Sequence, residues 1–228
     1  MKIIDAHSHI DYITHDFQPD VVGTCCCTTD ESQWGILGDM MARDNRIYGA
    51  FGTHPWFAED IVKDFDVRLE SLLKSNRLFM VGEIGLDKYK PDMEKQLDVF
   101  VRQLEIAIRL KRTVFIHCVG AWDKLLHILK QYKQSELPMI VFHSFNGNGQ
   151  IMQSLLDNYN VIFSFSKNAL YDRNCRIEQI PLDKILVETD GNKDVNLIDI
   201  ISQIAKIKCN ANAPEIIYNN TWGILNNG

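Results

Sequence analysis

The pair His7 and His9 has the residue type and spacing to bind a metal ion. Both histidines directly follow a short apolar run at 3–6. Side chains on a β-strand alternate between its two faces, so residues two apart point the same way. Two imidazoles on one face at the tip of a strand can therefore close on a single cation.

Four more side chains of ligand type follow short β-branched or aromatic runs: Glu83, His117, His143 and Asp190. Each has an ordinary explanation when taken alone. A buried histidine is often a hydrogen-bonded core residue, Glu83 could pair with a nearby Lys or Arg, and Asp190 could cap a helix. The joint pattern is hard to explain by packing, and we predict that all six side chains meet at one metal site.

The mixture of donors indicates the kind of metal site. Imidazole with carboxylate favours zinc, manganese, iron or nickel over calcium. Four histidines and two acids are too many for one tetrahedral ion with an open position, but they suit two ions that share a carboxylate. We assign His7, His9, Glu83 and Asp190 to one ion, and Glu83, His117 and His143 to the other. Two ions about 3.5–4 Å apart can clamp a bridging hydroxide and an oxyanion, as in phosphoester hydrolysis.

Eight strand-like runs and at least four helical patterns organise the chain. The strand-like runs lie at 3–6, 21–28, 47–52, 78–83, 113–117, 139–143, 161–164 and 185–188. The clearest helical patterns lie at 92–111, 122–132, 195–208 and 214–225. Most strand-like runs are apolar on both faces, which is typical of parallel strands covered by helices. No linker or repeat interrupts the chain, so we predict one domain over 1–228.

This α/β pattern fits either an open doubly wound sheet or a closed (β/α)8 barrel. The candidate ligands follow the first, fourth, fifth, sixth and eighth strands. In an open sheet the outer strands of that set would lie too far apart to share a site. In a barrel all five tips surround one mouth, so we predict a TIM-like (β/α)8 barrel.

Composition narrows the functional classes. The chain has 228 residues, is 46% hydrophobic and carries a net charge of −6, which argues against a general nucleic-acid coat. No apolar stretch is long enough to cross a bilayer, and the first residues do not resemble a signal peptide. The six cysteines lack C-x-x-C spacing, and three are consecutive. We expect reduced cysteines, a cytoplasmic protein and no obligate protein partner.

Several motifs together resemble the TatD-type metal-dependent deoxyribonucleases. They are Asp5-Ala-His-Ser-His9, Gly52-Thr-His-Pro-Trp56, Gly82-Glu-Ile-Gly-Leu-Asp87, Ile116-His-Cys118, Phe142-His-Ser-Phe-Asn-Gly147 and Glu188-Thr-Asp190. Their order and spacing cover nearly the whole chain. The resemblance implies a distorted barrel of the amidohydrolase type, a site for divalent ions such as zinc, magnesium, manganese or nickel, and hydrolysis of phosphodiesters in DNA.

The resemblance also implies residue roles. The six candidate ligands match the metal ligands of the family, with Glu83 holding both ions. Asp190 would in addition serve as general base. His54 matches a histidine near the substrate phosphate, and Asp87 matches an acid beside the site.

Two departures from the family pattern affect the substrate. Many relatives carry Arg and then Asp after the Ile-His-Cys segment, where this chain has Val119-Gly-Ala-Trp122. Relatives also have a proline and a longer basic loop after Glu-Thr-Asp, where this chain has Gly191-Asn-Lys-Asp194. The ligand set therefore looks intact, while the groove looks reduced. DNA or a small phosphoester could be the substrate.

Other residues near the strand ends have two explanations. Lys88, Tyr89 and Lys90 could bind substrate, with Tyr89 stacking on a base, or form an ordinary solvated loop. Trp56 and Trp122 could line the pocket or pack in the core. Arg173 could face the mouth, whereas we expect no role for His15 or His127.

Three functions remain open from the sequence. The leading hypothesis is a two-metal phosphodiesterase that uses a metal-bridging hydroxide on DNA ends or short single strands. The alternative is an amidohydrolase acting on a small amide, lactone or phosphoester. A non-catalytic metal-binding barrel is the third.

Overall fold

Eight parallel strands form one sheet in chain order, from β1 to β8, in a computed structural model that describes residues 1–12, 18–170 and 176–226. The strands are β1 (Ile3–His9), β2 (Val21–Cys27), β3 (Ile47–Phe51), β4 (Met80–Asp87), β5 (Val114–Val119), β6 (Ile140–Phe142), β7 (Val161–Phe165) and β8 (Ile185–Val187). All eight predicted strands are therefore confirmed. The order of pairing is that of a TIM-like barrel.

The last strand returns to the first without a regular hydrogen-bonded ladder. The Asp190 amide donates to the His7 carbonyl oxygen at 3.1 Å. The Asp5 carboxylate accepts from the Thr189 amide at 3.0 Å and from the Thr189 hydroxyl at 2.6 Å. These bonds join the ends of β1 and β8, so the sheet is a nearly closed, distorted barrel, as predicted.

Helices occupy the connections between the strands. They are α1 (Gln33–Arg43), α2 (Phe65–Ser75), α3 (Met93–Leu110), α4 (Trp122–Leu129), α5 (Gly149–Asn158), α6 (Lys167–Leu170), α7 (Leu197–Ile207) and α8 (Ala213–Asn226). Short 3-10 turns lie at Ile10–Tyr12, Pro55–Asp60, Ile177–Gln179 and Leu182–Lys184. The four predicted helices are present, with ends that differ by up to three residues. Within the described ranges, none of these helices has the length and apolarity needed to cross a bilayer.

The core has two layers, as expected for a barrel. Small and branched side chains such as Ala6, Cys25 and Val141 fill the barrel interior. A larger apolar layer lies between the strands and the surrounding helices. Cys25, Cys26 and Cys27 are unpaired and buried, as expected for reduced cysteines, and Cys118 is also unpaired and buried.

The longest helix, α3, carries two polar residues on its buried face. Its N-terminal turn is capped by the Asp92 carboxylate, which accepts from the Lys95 amide at 2.9 Å. Gln96 and Gln103 are completely buried beside Phe100 and Leu104. Both glutamine amides face loops at the carboxyl ends of the strands, where barrel enzymes place their chemistry.

Candidate metal centre

The barrel brings all six predicted ligands to one mouth. His7 and His9 lie at the end of β1, Glu83 lies within β4 and His117 lies within β5. The other two follow strands directly: His143 comes one residue after β6, and Asp190 comes three residues after β8. The parallel direction of the strands explains this convergence, because the carboxyl ends of all the strands lie at the same end of the barrel.

Glu83 is the centre of the cluster. Its side chain is 1% exposed, and its two carboxylate oxygens face different histidines. Oε2 lies 3.2 Å from His7 Nε2 and 3.5 Å from His9 Nε2. Oε1 lies 2.7 Å from His143 Nε2 and 2.9 Å from His117 Nδ1. One carboxylate thus joins two groups of imidazoles, which is the arrangement that the sequence predicts for a shared ligand.

Asp190 adds a second carboxylate on the solvent side. Its Oδ1 lies 3.6 Å from His7 Nε2 and 3.5 Å from His9 Nε2. The side chain is 40% exposed, so it forms the solvent-facing side of the cluster. Asp190 has a φ of 52°, in the left-handed region that non-glycine residues rarely adopt. The Asp5–Thr189 bonds hold the preceding residue and so fix this conformation.

His54 extends the second half of the cluster. The family resemblance implies that it lies near a substrate phosphate. In the structure it is 5% exposed, and its Nε2 lies 3.3 Å from Glu83 Oε1. His54, Glu83 and His117 each offer a donor atom within 4.8 Å of the others. A metal-binding position for His54 is therefore geometrically available, which the sequence motif alone did not indicate.

The donor set fits divalent ions. Glu83 Oε2 is buried without a hydrogen-bond partner in the described part of the chain. His7 Nε2 and His9 Nε2 face each other at 3.3 Å, and His117 Nδ1 and His143 Nε2 do so at 3.1 Å. A tetrahedral ion with bonds of about 2.0–2.1 Å separates two nitrogen ligands by about 3.3 Å. The spacing of the imidazoles therefore matches ligands of a small cation.

The electrostatics favour neutral His7 and His54 and an ionised Glu83. Burial lowers the pKa of His7 and of His54, which favours neutral imidazoles. Burial opposes protonation of the other three histidines as well, but their hydrogen bonds to neighbouring carboxylates and the charges of those carboxylates raise the pKa of His9, His117 and His143. Burial opposes ionisation of Glu83, but the surrounding histidines hold its pKa well below the usual value of 4.5. Neutral imidazole and ionised carboxylate are the forms that coordinate metals.

Buried polar groups hold the ligands in place. Glu188 is fully buried, and its Oε1 accepts from the Ser144 amide at 2.7 Å and lies 3.5 Å from His143 Nδ1. Gln103 exchanges two hydrogen bonds with the backbone of Thr53, at 2.7 and 3.0 Å, and so holds the loop that carries His54. Our sequence analysis missed both roles. Glu188 lies inside the Glu-Thr-Asp motif, whereas a glutamine in an apolar helix face gave no clear signal.

Asp87 lies behind the cluster and connects it to the exposed Trp56. Its side chain is 6% exposed, and its Oδ2 lies 3.7 Å from His117 Nε2. The same oxygen accepts from Trp56 Nε1 at 2.7 Å. The Gln96 side chain accepts from the Asp87 amide at 2.8 Å and so holds this strand end. Asp87 therefore contacts a candidate ligand on one side and an exposed tryptophan on the other.

The three residues after Asp87 form part of the mouth. Lys88 and Tyr89 are exposed, and Lys90 is half-buried. The Lys88 amide donates to the Val119 carbonyl oxygen at 2.9 Å, and the Tyr89 amide donates to Asp87 Oδ1 at 2.9 Å. The loop is thus hydrogen-bonded at its base while its side chains face solvent.

A cavity of about 370 Å³ opens beside Asp190. Its lining residues are Ser166, Lys167, Thr189, Asp190, Asn192, Asp194 and Val195. This cavity lies next to the exposed carboxylate of the cluster.

The other candidates have separate positions. Trp56 is 52% exposed, so it does not pack in the core. Trp122 is half-buried and lies 5.5 Å from Phe142 and 5.3 Å from Phe145 between ring centroids. His127 is exposed on α4, as expected for a residue without a role. His15 and Arg173 lie outside the described residues.

Comparison with known proteins identifies the family. The family model described as TatD related DNase matches residues 4–217. The human protein 3'-5' RNA nuclease TATDN2 is 32% identical over 163 residues, which are 68% of this chain and 21% of that protein. The chain therefore corresponds to about a fifth of the length of this relative.

Two further comparisons cover most of the chain. BU355 of Buchnera aphidicola, named as a metal-dependent hydrolase, is 27% identical over 84% of this chain and 81% of its own length. The crystal structure of YjjV, a TatD homologue from Escherichia coli, has a TM-score of 0.84, 22% identity and 97% coverage of both chains.

These findings and the site define a barrel of the metal-dependent hydrolase type. The chain belongs to the TatD-related DNase family. Its fold is that of the TatD barrels, as the similarity to YjjV shows. The resemblance stated from the sequence motifs is thus confirmed.

Proposed function

We propose that this protein is a metal-dependent phosphodiesterase that cleaves DNA or RNA strands. One observation carries the proposal: the buried Glu83 carboxylate divides its two oxygens between two groups of histidines. Sites with two adjacent cations are common in enzymes that cleave phosphodiesters. The family match and the name of the human nuclease support this substrate class over a small amide or lactone.

We assign the donors as the sequence suggests, with one addition. His7, His9, Glu83 and Asp190 would hold one ion, and Glu83, His117 and His143 would hold the other, with His54 close enough to join the second group. Bound divalent ions would supply Lewis acidity, which makes a water more acidic and offsets the charge that develops on phosphate. The site suits zinc, manganese, nickel or magnesium.

Asp190 is placed to act as general base. Burial alone would raise its pKa, but the hydrogen bond from His9 and the nearby histidines hold the pKa of Asp190 at about 2. Its carboxylate is therefore ionised at neutral pH. It is also the most exposed carboxylate of the cluster, so it can orient a water from the cavity and accept its proton.

Residues at the rim would bind the substrate. Lys88 and Lys90 carry the positive charge that a phosphate backbone requires, and Tyr89 is 79% exposed and available for contact with a base or sugar. Asp87 would act through His117 and Trp56, which it contacts. The cavity beside Asp190 would receive the sugar and phosphate on the other side of the cleaved bond.

The proposal also covers the cellular compartment and the domain organisation of the protein. The five described cysteines are all unpaired, which suits a reducing compartment such as the cytoplasm. The eight strands share one sheet, which supports a single domain over 1–228.

Metal analysis combined with an oligonucleotide digest tests the function. The purified protein, stripped and reloaded with Mg²⁺, Mn²⁺ or Zn²⁺, is incubated with 5′-labelled single-stranded oligonucleotides and with a panel of small amides and lactones. We expect about two ions per chain and metal-dependent shortening of the oligonucleotides. A metal-loaded protein that cleaves an amide or a lactone but no oligonucleotide would replace the proposal with the amidohydrolase alternative.

A further inference from the structure

Trp56 is a large apolar side chain that is fixed in place yet open to solvent. Its indole is 52% exposed, although burying an aromatic ring is normally favourable. Its Nε1 donates to Asp87 Oδ2 at 2.7 Å, and its backbone amide donates to His54 Nδ1 at 3.2 Å. The ring therefore has a defined orientation without being part of the core.

The indole lies directly beside the metal-ligand cluster. The rings of Trp56 and His54 meet edge to face, with centroids 5.1 Å apart. His54 in turn lies 3.3 Å from Glu83 Oε1. A group in contact with the Trp56 ring is thus one residue away from the carboxylate that would hold both ions.

A positive charge lies over the face of the Trp56 indole, while the Asp87 carboxylate binds its edge. Lys90 Nζ lies 3.8 Å from the centroid of the indole, a cation–π contact. Lys88 and Tyr89 project from the same loop. This loop lies close to Gly120, where a Cβ would be only 3.2 Å from Lys88 Cβ. Gly120 has a φ of 65°, so a glycine suits both the backbone and the close approach.

We propose that Trp56 is a specificity-determining residue that stacks on an unpaired nucleobase next to the cleaved phosphate. This inference rests on the proposed function and adds to it the residue that would select single strands. Stacking requires the face of a base, which is covered in a duplex and open in a single strand. Lys90 covers a face of the indole in the free protein, and a base that takes this place releases the ammonium to pair with a phosphate.

The matched pair Trp56→Phe and Trp56→Leu tests stacking. Both variants lose the hydrogen bond to Asp87, but only phenylalanine keeps an aromatic face. The measurement is kcat and KM on a 5′-labelled single-stranded decamer and on the same sequence in a duplex. We expect Trp56→Leu to raise KM for the single strand by about 5- to 150-fold, and Trp56→Phe to raise it much less. Selectivity for single strands over duplex falls by the same factor in the leucine variant.

A scan with abasic nucleotides locates the contact. Each of the terminal nucleotides is replaced in turn by an abasic residue. At one position the abasic residue should raise KM for the wild-type enzyme by the same factor as Trp56→Leu raises KM on the intact strand. At that position the abasic residue should not raise KM further for the leucine variant. Trp222→Leu, on α8, is the control because Trp222 is 46% exposed and stacks on Tyr218.

Equal KM values for Trp56→Phe and Trp56→Leu would overturn the inference, as would equal losses on single strands and duplexes. Metal content and Tm of both variants separate a stacking defect from a damaged site. If the wild-type enzyme cleaves no nucleic acid, the proposed function fails, and a binding measurement still tests Trp56. Quenching of tryptophan fluorescence by the single-stranded decamer in EDTA should then occur in the wild type and be reduced in Trp56→Leu; equal quenching in the two proteins would refute the stacking role.

Discussion

The usual distribution of side chains is reversed in two regions. One is the buried cluster around Glu83, and the other is the exposed rim formed by Trp56 and residues 88–90. In the cluster, the Glu83 carboxylate and several imidazoles lie where apolar residues normally lie, and Glu83 is 1% exposed. At the rim, Trp56 and Tyr89 are 52% and 79% exposed, respectively. A buried charge requires partners, and an exposed apolar ring forfeits the free energy of burial. Both inversions are expected where a protein binds something it does not itself contain.

The difference between the two regions also concerns how they are supported. The cluster is joined to the backbone of β1 and β8 by the Asp5 and Asp190 contacts. The rim is supported from α3, where Gln96 and Gln103 bind loop backbone. Changes in the cluster should therefore abolish chemistry, whereas changes at the rim should alter substrate binding. The following predictions test this division.

The largest effect is expected from Glu83→Ala. Removal of the carboxylate leaves both groups of histidines without their shared ligand. Loss of several kcal/mol of transition-state stabilisation corresponds to a fall of at least about 10³-fold in kcat/KM. Activity on oligonucleotides and metal content per chain are measured together. A variant with full metal content and full rate would remove Glu83 from the bridging position.

Asp190→Asn should have the next largest effect. The amide keeps the shape of the side chain but cannot accept a proton from water. We expect a fall in kcat of about 10²–10³-fold, within the range for general bases, with KM little changed. Steady-state kinetics at saturating metal make the comparison, and an unchanged kcat would assign the base to another group.

Gln103→Leu tests the support of the rim. The substitution leaves the buried Thr53 amide and carbonyl without their partner, and each unsatisfied group costs about 1–3 kcal/mol. Urea unfolding measures the free energy of unfolding, with exposed Gln134→Leu as the control. Loss of stability no greater than in the control would show that the loop backbone finds other partners.

Lys90→Met should produce the smallest change. Methionine keeps the apolar stem and loses one positive charge near the indole. If Lys90 pairs with a phosphate in the complex, the slope of log Kd against log salt concentration should decrease by about one. Binding is titrated at several salt concentrations, and Lys124→Met on the exposed face of α4 is the control. An unchanged slope would show that Lys90 does not contact the phosphate backbone of the substrate.

Much of the fold and of the cluster could be predicted from the sequence because both depend on short local patterns. Apolar runs ended by His or Asp marked the strand tips, and the periodicity of 92–111 marked α3. The end of β4 was missed: the prediction stopped at Glu83, whereas the strand continues to Asp87. A glutamate looks like a strand end until the histidines of other strands explain its burial.

The supporting residues were harder to predict for the same reason. The apolar periodicity of 92–111 did not single out Gln96 or Gln103, because a glutamine side chain is polar. Gln103 binds the backbone of Thr53, 50 residues earlier, and Gln96 binds the Asp87 amide, 9 residues earlier, so the helical periodicity reports neither partner. The departure at Gly120 was visible in the sequence, but its meaning required the position of Lys88 beside it.

The contacts between β1 and β8 determine when the barrel and its site can be completed during synthesis. Asp5 binds Thr189, a residue 184 positions later, and each lies within two residues of a proposed metal ligand. An incomplete chain that lacks the last strand has neither a finished barrel nor a full set of donors. The full set of six candidate ligands can therefore assemble only after β8 and the residues that follow it have been synthesised.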